Sequence, residues 1–166
     1  KQKQKLEDLD KYEERFREAE ENLKKGSEEL ETVSHKLSVI RQKYSQMLTD
    51  KITEGLKDLN FLDVQFQITF RRRKEYTAGG FDDIEYEIST NPGESLKPLG
   101  KIVSGGELSR IMLAIKAILA DRDQIETLIF DEIDTGISGR TAQKVSEKMA
   151  VIGRCHQVLC ITHLPQ

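Results

Sequence analysis

Apolar residues recur every seven positions through the first third of the chain, at Leu9, Phe16, Leu23, Leu30, Leu37 and Tyr44, and three positions beyond each stand Tyr12, Ala19, Gly26, Val33, Ile40 and Met47. The intervening positions are dominated by Glu, Lys, Arg and Gln. A stripe this narrow cannot build a globular core, so the pattern predicts a long helix that pairs with another helix as a coiled-coil strand. At ~1.5 Å per residue an arm from Lys5 to Leu48 would reach about 65 Å. Gly26 falls on the seam, offers no knob and weakens a helix by roughly 1 kcal/mol relative to Ala, which makes it a candidate flexible point. After Met47 the apolar positions shift to Ile52, Leu56 and Leu59, abandoning the heptad as expected of a helix meeting a globular body. His35 lies beside the seam and reads as a surface residue.

Beyond Leu59 the period changes. Val64, Phe66, Ile68 and Phe70 alternate with polar residues, as do Ile84, Tyr86 and Ile88 after Gly79-Gly80, predicting an antiparallel strand pair. Between them Arg71-Arg72-Arg73-Lys74 reads as a solvated strand end or loop that blocks aggregation, the alternative being a phosphate-contacting patch. Asn91-Pro92-Gly93-Glu94 is a turn, and Lys97 to Val103 runs on as a loop. A helix then opens at Ser104 and ends near Asp121, with Leu108, Ile111, Met112, Ile115, Ile118 and Leu119 on its apolar face. Thr127 to Phe130 is a continuous apolar run suited to a strand buried on both faces. Asp134 to Gly139 forms a loop, Arg140 to Val151 an amphipathic helix facing inward with Ala142, Val145, Met149 and Ile152, and His156 to Thr162 a second buried strand. That order predicts a parallel strand–helix–strand unit with a right-handed crossover. The fold class is α/β, with residues 1–59 as the arm and 60–166 as a globular lobe.

Composition narrows the picture. Of 166 residues 37% are hydrophobic and 33% charged, enough for one compact lobe beside a polar arm. A formal charge of −3 gives no general pull toward nucleic acid, so contact with DNA would need a local patch or a partner. Cys155 and Cys160 read as reduced structural thiols, which fits a cytoplasmic protein. No apolar stretch approaches the ~20 residues of a membrane span, so no membrane partner is expected. The start, Lys-Gln-Lys-Gln, carries neither an initiator Met nor a signal-peptide pattern, and the chain reads as a piece of something longer.

The chemistry concentrates in two places. Ser104 and Glu107 fit a capping box, and Gly105 and Gly106 leave consecutive amides unobstructed at the positive end of the helix dipole, ready for a phosphate. The apolar run ending at Phe130 delivers Asp131 and Glu132 to the carboxyl edge of a parallel sheet, where α/β folds bind ligands. Two adjacent acids can divide the labour, Asp131 holding Mg2+ through its water shell and Glu132 polarising an attacking water. His163 ends the last strand on that same edge and reads as catalytic. No Gly-x-x-x-x-Gly-Lys-Ser/Thr loop is present to cradle a nucleotide's phosphates, so the chain reads as half of an active site.

Val103-Ser-Gly-Gly-Glu-Leu-Ser-Arg-Ile-Met, Phe130-Asp-Glu-Ile-Asp-Thr-Gly-Ile-Ser-Gly and Ile161-Thr-His-Leu-Pro-Gln, set behind a heptad arm, resemble the C-terminal half of an ABC-type ATPase head of the structural-maintenance-of-chromosomes (SMC) kind, in the branch that repairs DNA double-strand breaks by recombination. Val103 departs from the Leu that many such signatures carry. The resemblance implies ATP and Mg2+ as cofactors, with Ser104, Gly105, Gly106 and Glu107 as the signature that meets the γ-phosphate of ATP held by an opposite head. Asp131 would then be the magnesium position, Glu132 the general base, Asp134 part of a loop crossing the dimer interface and His163 the residue sensing γ-phosphate. The implied partners are the N-terminal lobe of the same protein, with the phosphate-binding loop and the second coiled-coil helix, a second head in a homodimer, and DNA in the intact protein. The implied location is the bacterial cytoplasm, at the nucleoid. The rival reading is a non-enzymatic coiled-coil scaffold or dimerisation module, separated from the ATPase by whether a phosphate-binding loop lies upstream of Lys1.

Overall fold

The computed structural model describes residues 2–102 and 104–162, with side-chain surroundings from residue 11 onward. Val103 and His163 therefore lie outside the described residues. A single helix α1 (Gln2–Asp58) is followed by strands β1 (Gln65–Thr77), β2 (Gly80–Ser89) and β3 (Lys97–Pro98), helix α2 (Gly105–Leu119), strand β4 (Thr127–Phe130), helix α3 (Gly139–Ile152) and strand β5 (Gln157–Cys160). The fold is thus mixed α/β, with a sheet in the order β1-β2-β3 and a parallel pair β4-β5. Two compact units divide the chain: residues 1–42 with 71–83, and residues 43–70 with 84–166.

In the first unit the heptad helix runs unbroken through Gly26, so the expected flexible point is helical, with open space where a Cβ would stand. Its seam faces solvent: Tyr12, Phe16, Leu23, Val33 and Ile40 are all exposed. A second face is buried instead, through Ser34 and Ser38. These small residues admit the hairpin tip, where Gly80, at φ +84°, sits with its would-be Cβ 3.5 Å from the Ser34 hydroxyl. Arg41 donates to the Gly79 carbonyl and to Asp82, and Ser38 donates to Asp82 as well. The run Arg71 to Lys74 lies inside β1 rather than at its end, because the strand continues to Thr77. Arg72 forks onto the Glu31 carboxylate and stacks 4.4 Å from the Phe81 ring centre, while Arg73 pairs with Asp83. The Arg72 fork, aided by the Tyr76 hydroxyl, holds the Glu31 carboxyl below its ordinary value.

The core belongs to the second unit. Ile52 and Leu56 of α1, Leu59 just beyond it, Ile111 and Leu113 of α2, Ile133 in the turn after β4 and Ile152 of α3 are all but sealed from solvent, each contributing about 1.5–3 kcal/mol by burial. A Cβ on Gly55 would stand in ordinary contact, 3.7 Å, with the Ala114 Cβ of α2, and Lys148 ties α3 to Asp58. The inward face of α2 is Gly106, Arg110, Ile111, Leu113 and Ala114, rotated from the expected stripe, so Leu108, Met112 and Ile118 are only half-buried. The segment expected as a loop before Ser104 holds the short strand β3, antiparallel to β2 through Glu87 with Pro98 and Ile88 with Lys97, then a 3-10 turn over Leu99–Lys101.

Strands β4 and β5 pair in parallel, Thr127 with Gln157 through Phe130 with Cys160, and α3 connects them. The expectation that both are buried on two faces fails. Phe130, Leu128 and Val158 point into the core, whereas Ile129 (64% exposed), Leu159 and Ile161 line an uncovered face. Only one side of the pair has helices packed on it among the described residues.

The connection from α2 to β4 is tied by three side chains. Lys116 pairs with Asp123, Asp123 accepts from the Ile125 amide at 3.2 Å, and the buried His156 ring faces the Ile125 carbonyl at 2.6 Å and the Ala120 carbonyl at 2.9 Å. Replacing the ring leaves two inward carbonyls without partners, so His156→Ala should cost about 1–3 kcal/mol in urea unfolding. Lys116 holds the Asp123 carboxyl below its ordinary 3.8. A depressed acid stabilises the fold above its unfolded pKa and loses that contribution as pH falls through the folded one, so stability should decline on acidification from about pH 3.8. Asp123→Asn should flatten that acid slope in melts recorded between neutral and acid pH.

Candidate functional site

Ser104 caps α2 from an extended backbone, its hydroxyl accepting the Glu107 amide at 3.4 Å, as a Ser-x-x-Glu sequence directs. Ser104 and Gly105 are exposed, Gly106 is buried and Glu107 is half-buried. The first turn of α2 therefore offers amides to solvent on one side and packs closely on the other.

What it packs against is the turn after β4. Asp131 and Glu132 are both exposed at the carboxyl end of that strand, and Glu132 has φ +54°, in the left-handed region that a residue with a Cβ enters at a cost of about 1–2 kcal/mol. The turn closes with the Thr135 amide on the Glu132 carbonyl at 3.1 Å. A Cβ on Gly106 would stand 2.9 Å from that carbonyl and 3.3 Å from the Thr135 Cβ, and one on Gly105 would stand 2.7 Å from Glu132 Oε2. Gly106 is thus a steric condition for the turn and the helix start to coexist, whereas Gly105 borders only the movable end of the carboxylate.

Further along α2, Ser109 donates to the Asp131 carbonyl at 2.6 Å. Arg110, 8% exposed, reaches the Thr135 carbonyl at 3.0 Å and the Ile133 carbonyl at 3.5 Å, with its guanidinium 5.5 Å from the Phe61 ring centre. Burial lowers its pKa from the ordinary arginine value, with the Glu107 charge opposing. Its Nε has no acceptor among the described residues.

Of the residues expected from sequence, Ser104, Gly105, Gly106 and Glu107 come together with Glu132, and Asp131 stands beside them. Asp134 is set apart: it is 5% exposed, turned into the lobe, while Thr135 and Gly136 of the same loop are exposed. His163 lies outside the described residues. Ser109 and Arg110 escaped the sequence reading, although a cation one turn after Gly106, inside an apolar stripe, signals a buried partner. No cluster of three or more His, Cys, Asp or Glu able to hold a metal by themselves occurs among the described residues. The carboxylate pair offers hard oxygen donors of the kind Mg2+ accepts with its water shell retained.

No protein-family model matches the chain. Curated relatives do: it is 47% identical over 131 residues to the DNA repair protein RecN of Halalkalibacterium halodurans, covering 76% of the chain and 23% of the relative. It is 44% identical over 142 residues to RecN of Bacillus subtilis, covering 76% and 25%, and 42% identical over 127 residues to RecN of Vibrio cholerae, covering 76% and 23%. The chain spans about a quarter of the length of the curated relatives it matches. Among solved structures, an Smc head bound to the C-terminal winged-helix domain of ScpA is similar at a TM-score of 0.49 and 17% identity, over 76% of this chain and 37% of that one.

The geometry separates the two glycines. Gly105→Ala meets only the movable end of a carboxylate and gains helix propensity, so it should leave the melting temperature near or above that of the parent. Gly106→Ala meets backbone and should cost about 1–3 kcal/mol, checked by parallel thermal melts.

Proposed function

We propose that the chain, whose sequence is of RecN type over three quarters of its length, is a segment of a DNA repair protein: the C-terminal part of an SMC-like ATPase head acting in recombinational repair of double-strand breaks. The observation that carries the proposal is the meeting of the Ser104–Glu107 helix start with the Asp131-Glu132 turn, anion-binding amides and two exposed carboxylates held on one edge.

The exposed amides at the start of α2 support a phosphate there, and the exposed acids after β4 support a metal-bound nucleotide of their own. Two glycines open the first turn of α2, and a Cβ on Gly106 would meet the backbone of the Glu132 turn. When bound, Mg2+–ATP supplies the phosphoanhydride to be cleaved and the metal charge that screens it. The remaining work is done by side chains. Glu132 accepts the proton of the attacking water, Asp131 orients the metal's water shell, and the Ser104 hydroxyl with the Gly105 and Gly106 amides donates to a γ-phosphate presented by an opposite head. Thr135 and Gly136 face that head, while buried Asp134 steadies their loop. His163 senses the γ-phosphate.

Residues 60–166 then form the C-terminal lobe and residues 1–59 one strand of a coiled coil, completed by an N-terminal lobe of the same protein that brings the phosphate-binding loop. The uncovered face of Ile129, Leu159 and Ile161 and the exposed heptad seam are each what such completion would cover. Two completed heads close on ATP as a homodimer and open on hydrolysis, with DNA as the cargo, in the bacterial cytoplasm at the nucleoid.

In the full-length protein, Glu132→Gln should keep ATP binding and ATP-driven dimerisation but lower turnover by about 10²-fold or more, since an amide is a poor proton acceptor. Wild-type turnover by this variant would remove Glu132 as the base. Ser104→Arg should leave the monomer's ATP affinity nearly unchanged and abolish ATP-driven dimerisation in light scattering. Losing the cap alone would cost only ~1 kcal/mol in a melt, so normal dimerisation would reduce Ser104 to a structural cap.

A further inference from the structure

The loop bearing Glu132 makes three backbone carbonyls available to α2, those of Asp131, Ile133 and Thr135, and side chains of α2 take all three. Arg110 alone takes two of them. It does so from a buried position, its guanidinium 5.5 Å from the Phe61 ring centre and its Nη1 3.3 Å from where a Cβ on Gly106 would stand. Gly106 itself admits the Glu132 carbonyl. The same turn of helix therefore carries the residues that face a γ-phosphate and the group that fixes the conformation of the carboxylate.

From this arrangement, and resting on the ATPase reading above, we infer that Arg110 is the positioning residue for Glu132: it holds the left-handed turn that aims the carboxylate and makes the signature helix and that turn move as one body. The physical case is threefold. Glu132 at φ +54° is a conformation that the local chain does not favour and that surrounding contacts must impose. Arg110 supplies these contacts immediately C-terminal to Glu132, at Ile133 and Thr135, where rotation of the peptide would release the turn. Burying a guanidinium with one nitrogen lacking an acceptor is a poor way to stabilise a core, since an apolar side chain of that volume would cost less desolvation. The arrangement is explained by what the cation holds in place.

A displacement of α2 on meeting a γ-phosphate would accordingly pass to the Glu132 turn, with Arg110 holding its C-terminal side and Ser109 the carbonyl before it. Contact made for a nucleotide on one head would adjust the base that serves the nucleotide on the other side of the same lobe, which ties the two sites of a dimer together.

The test uses the full-length protein. Arg110→Met leaves an apolar, unbranched side chain in the same buried position and removes both hydrogen bonds; kcat should fall on the order of ten- to a hundredfold, with KM for ATP and ATP-driven dimerisation little changed. Arg110→Lys, with one donor able to reach one carbonyl, should recover part of the loss. Wild-type kcat in Arg110→Met, or a loss no larger than the fall in folded fraction read by circular dichroism at the assay temperature, would overturn the inference. Should Arg110→Met not fold, Arg110→Lys carries the test: reduced kcat at full folded fraction supports positioning, and wild-type kcat overturns it. Glu132→Gln run beside them separates the two claims. If it turns over normally, the base assignment falls and the role of Arg110 with it; if it is inactive while Arg110→Met is fully active, the positioning role alone falls.

Discussion

The grip of α2 on the peptide carbonyls after β4 is the interaction on which the site depends. A strand that ends in two exposed acids gives them no fixed direction, and Glu132 adds a left-handed backbone that its own Cβ disfavours. Ser109 and Arg110 supply the missing constraint by bonding to the carbonyls on both sides of that residue. Such bonds require α2 to approach closely, and Gly106 sets the distance, since any side chain there would meet the Glu132 carbonyl at 2.9 Å. The glycine pair serves two purposes at once: Gly105 keeps amides open to solvent at the helix start, and Gly106 lets the helix come down on the turn.

The arm shows a comparable division between two faces of one helix. Its heptad seam is apolar and exposed, whereas the face one position away is small and polar and is buried beneath the hairpin tip through Ser34 and Ser38. Serines there replace bulk with hydrogen-bonding capacity, so Ser38 and Arg41 share Asp82 while Gly80 sits against Ser34. The basic run of β1 is spent in the same local network. Arg72 and Arg73 are committed to Glu31 and Asp83, which argues against those two arginines as free phosphate contacts and makes them anchors of the hairpin tip.

Much of this was legible in the chain because periodicity reports which face is apolar. The unbroken helix from Gln2 to Asp58, the shift to core positions at Ile52 and Leu56, the Ser104 cap and the parallel strand–helix–strand unit all follow from spacing and capping chemistry. Where the reading failed, the deciding contacts lay between elements distant in sequence. Ser34 and Ser38 carry no periodic signal because their partner is a hairpin more than forty residues away. The rotation of the α2 stripe toward Leu113 and Ala114 goes with its packing against α3, an element some twenty residues further along the chain. Arg110 drew no reading of its own from the sequence, and the left-handed turn at Glu132 gives it a reason to be inside.

The bare face of the β4-β5 pair bears on the proposed half-site in its own right. Parallel strands are stable when both faces are covered, and their sequences become apolar on both sides for that reason. Thr127 to Phe130 and Val158 to Ile161 have that composition, yet the helices of this lobe cover only the side of Leu128, Phe130 and Val158. Ile129 and Leu159, partners in the ladder, and Ile161 just beyond it fit the same rule and stand in solvent. A soluble lobe gains nothing from keeping such residues on an uncovered sheet face. The composition makes sense if a further layer packs there, and a layer on the sheet beside Asp131 and Glu132 is also the position from which a phosphate-binding loop could reach the carboxylate edge.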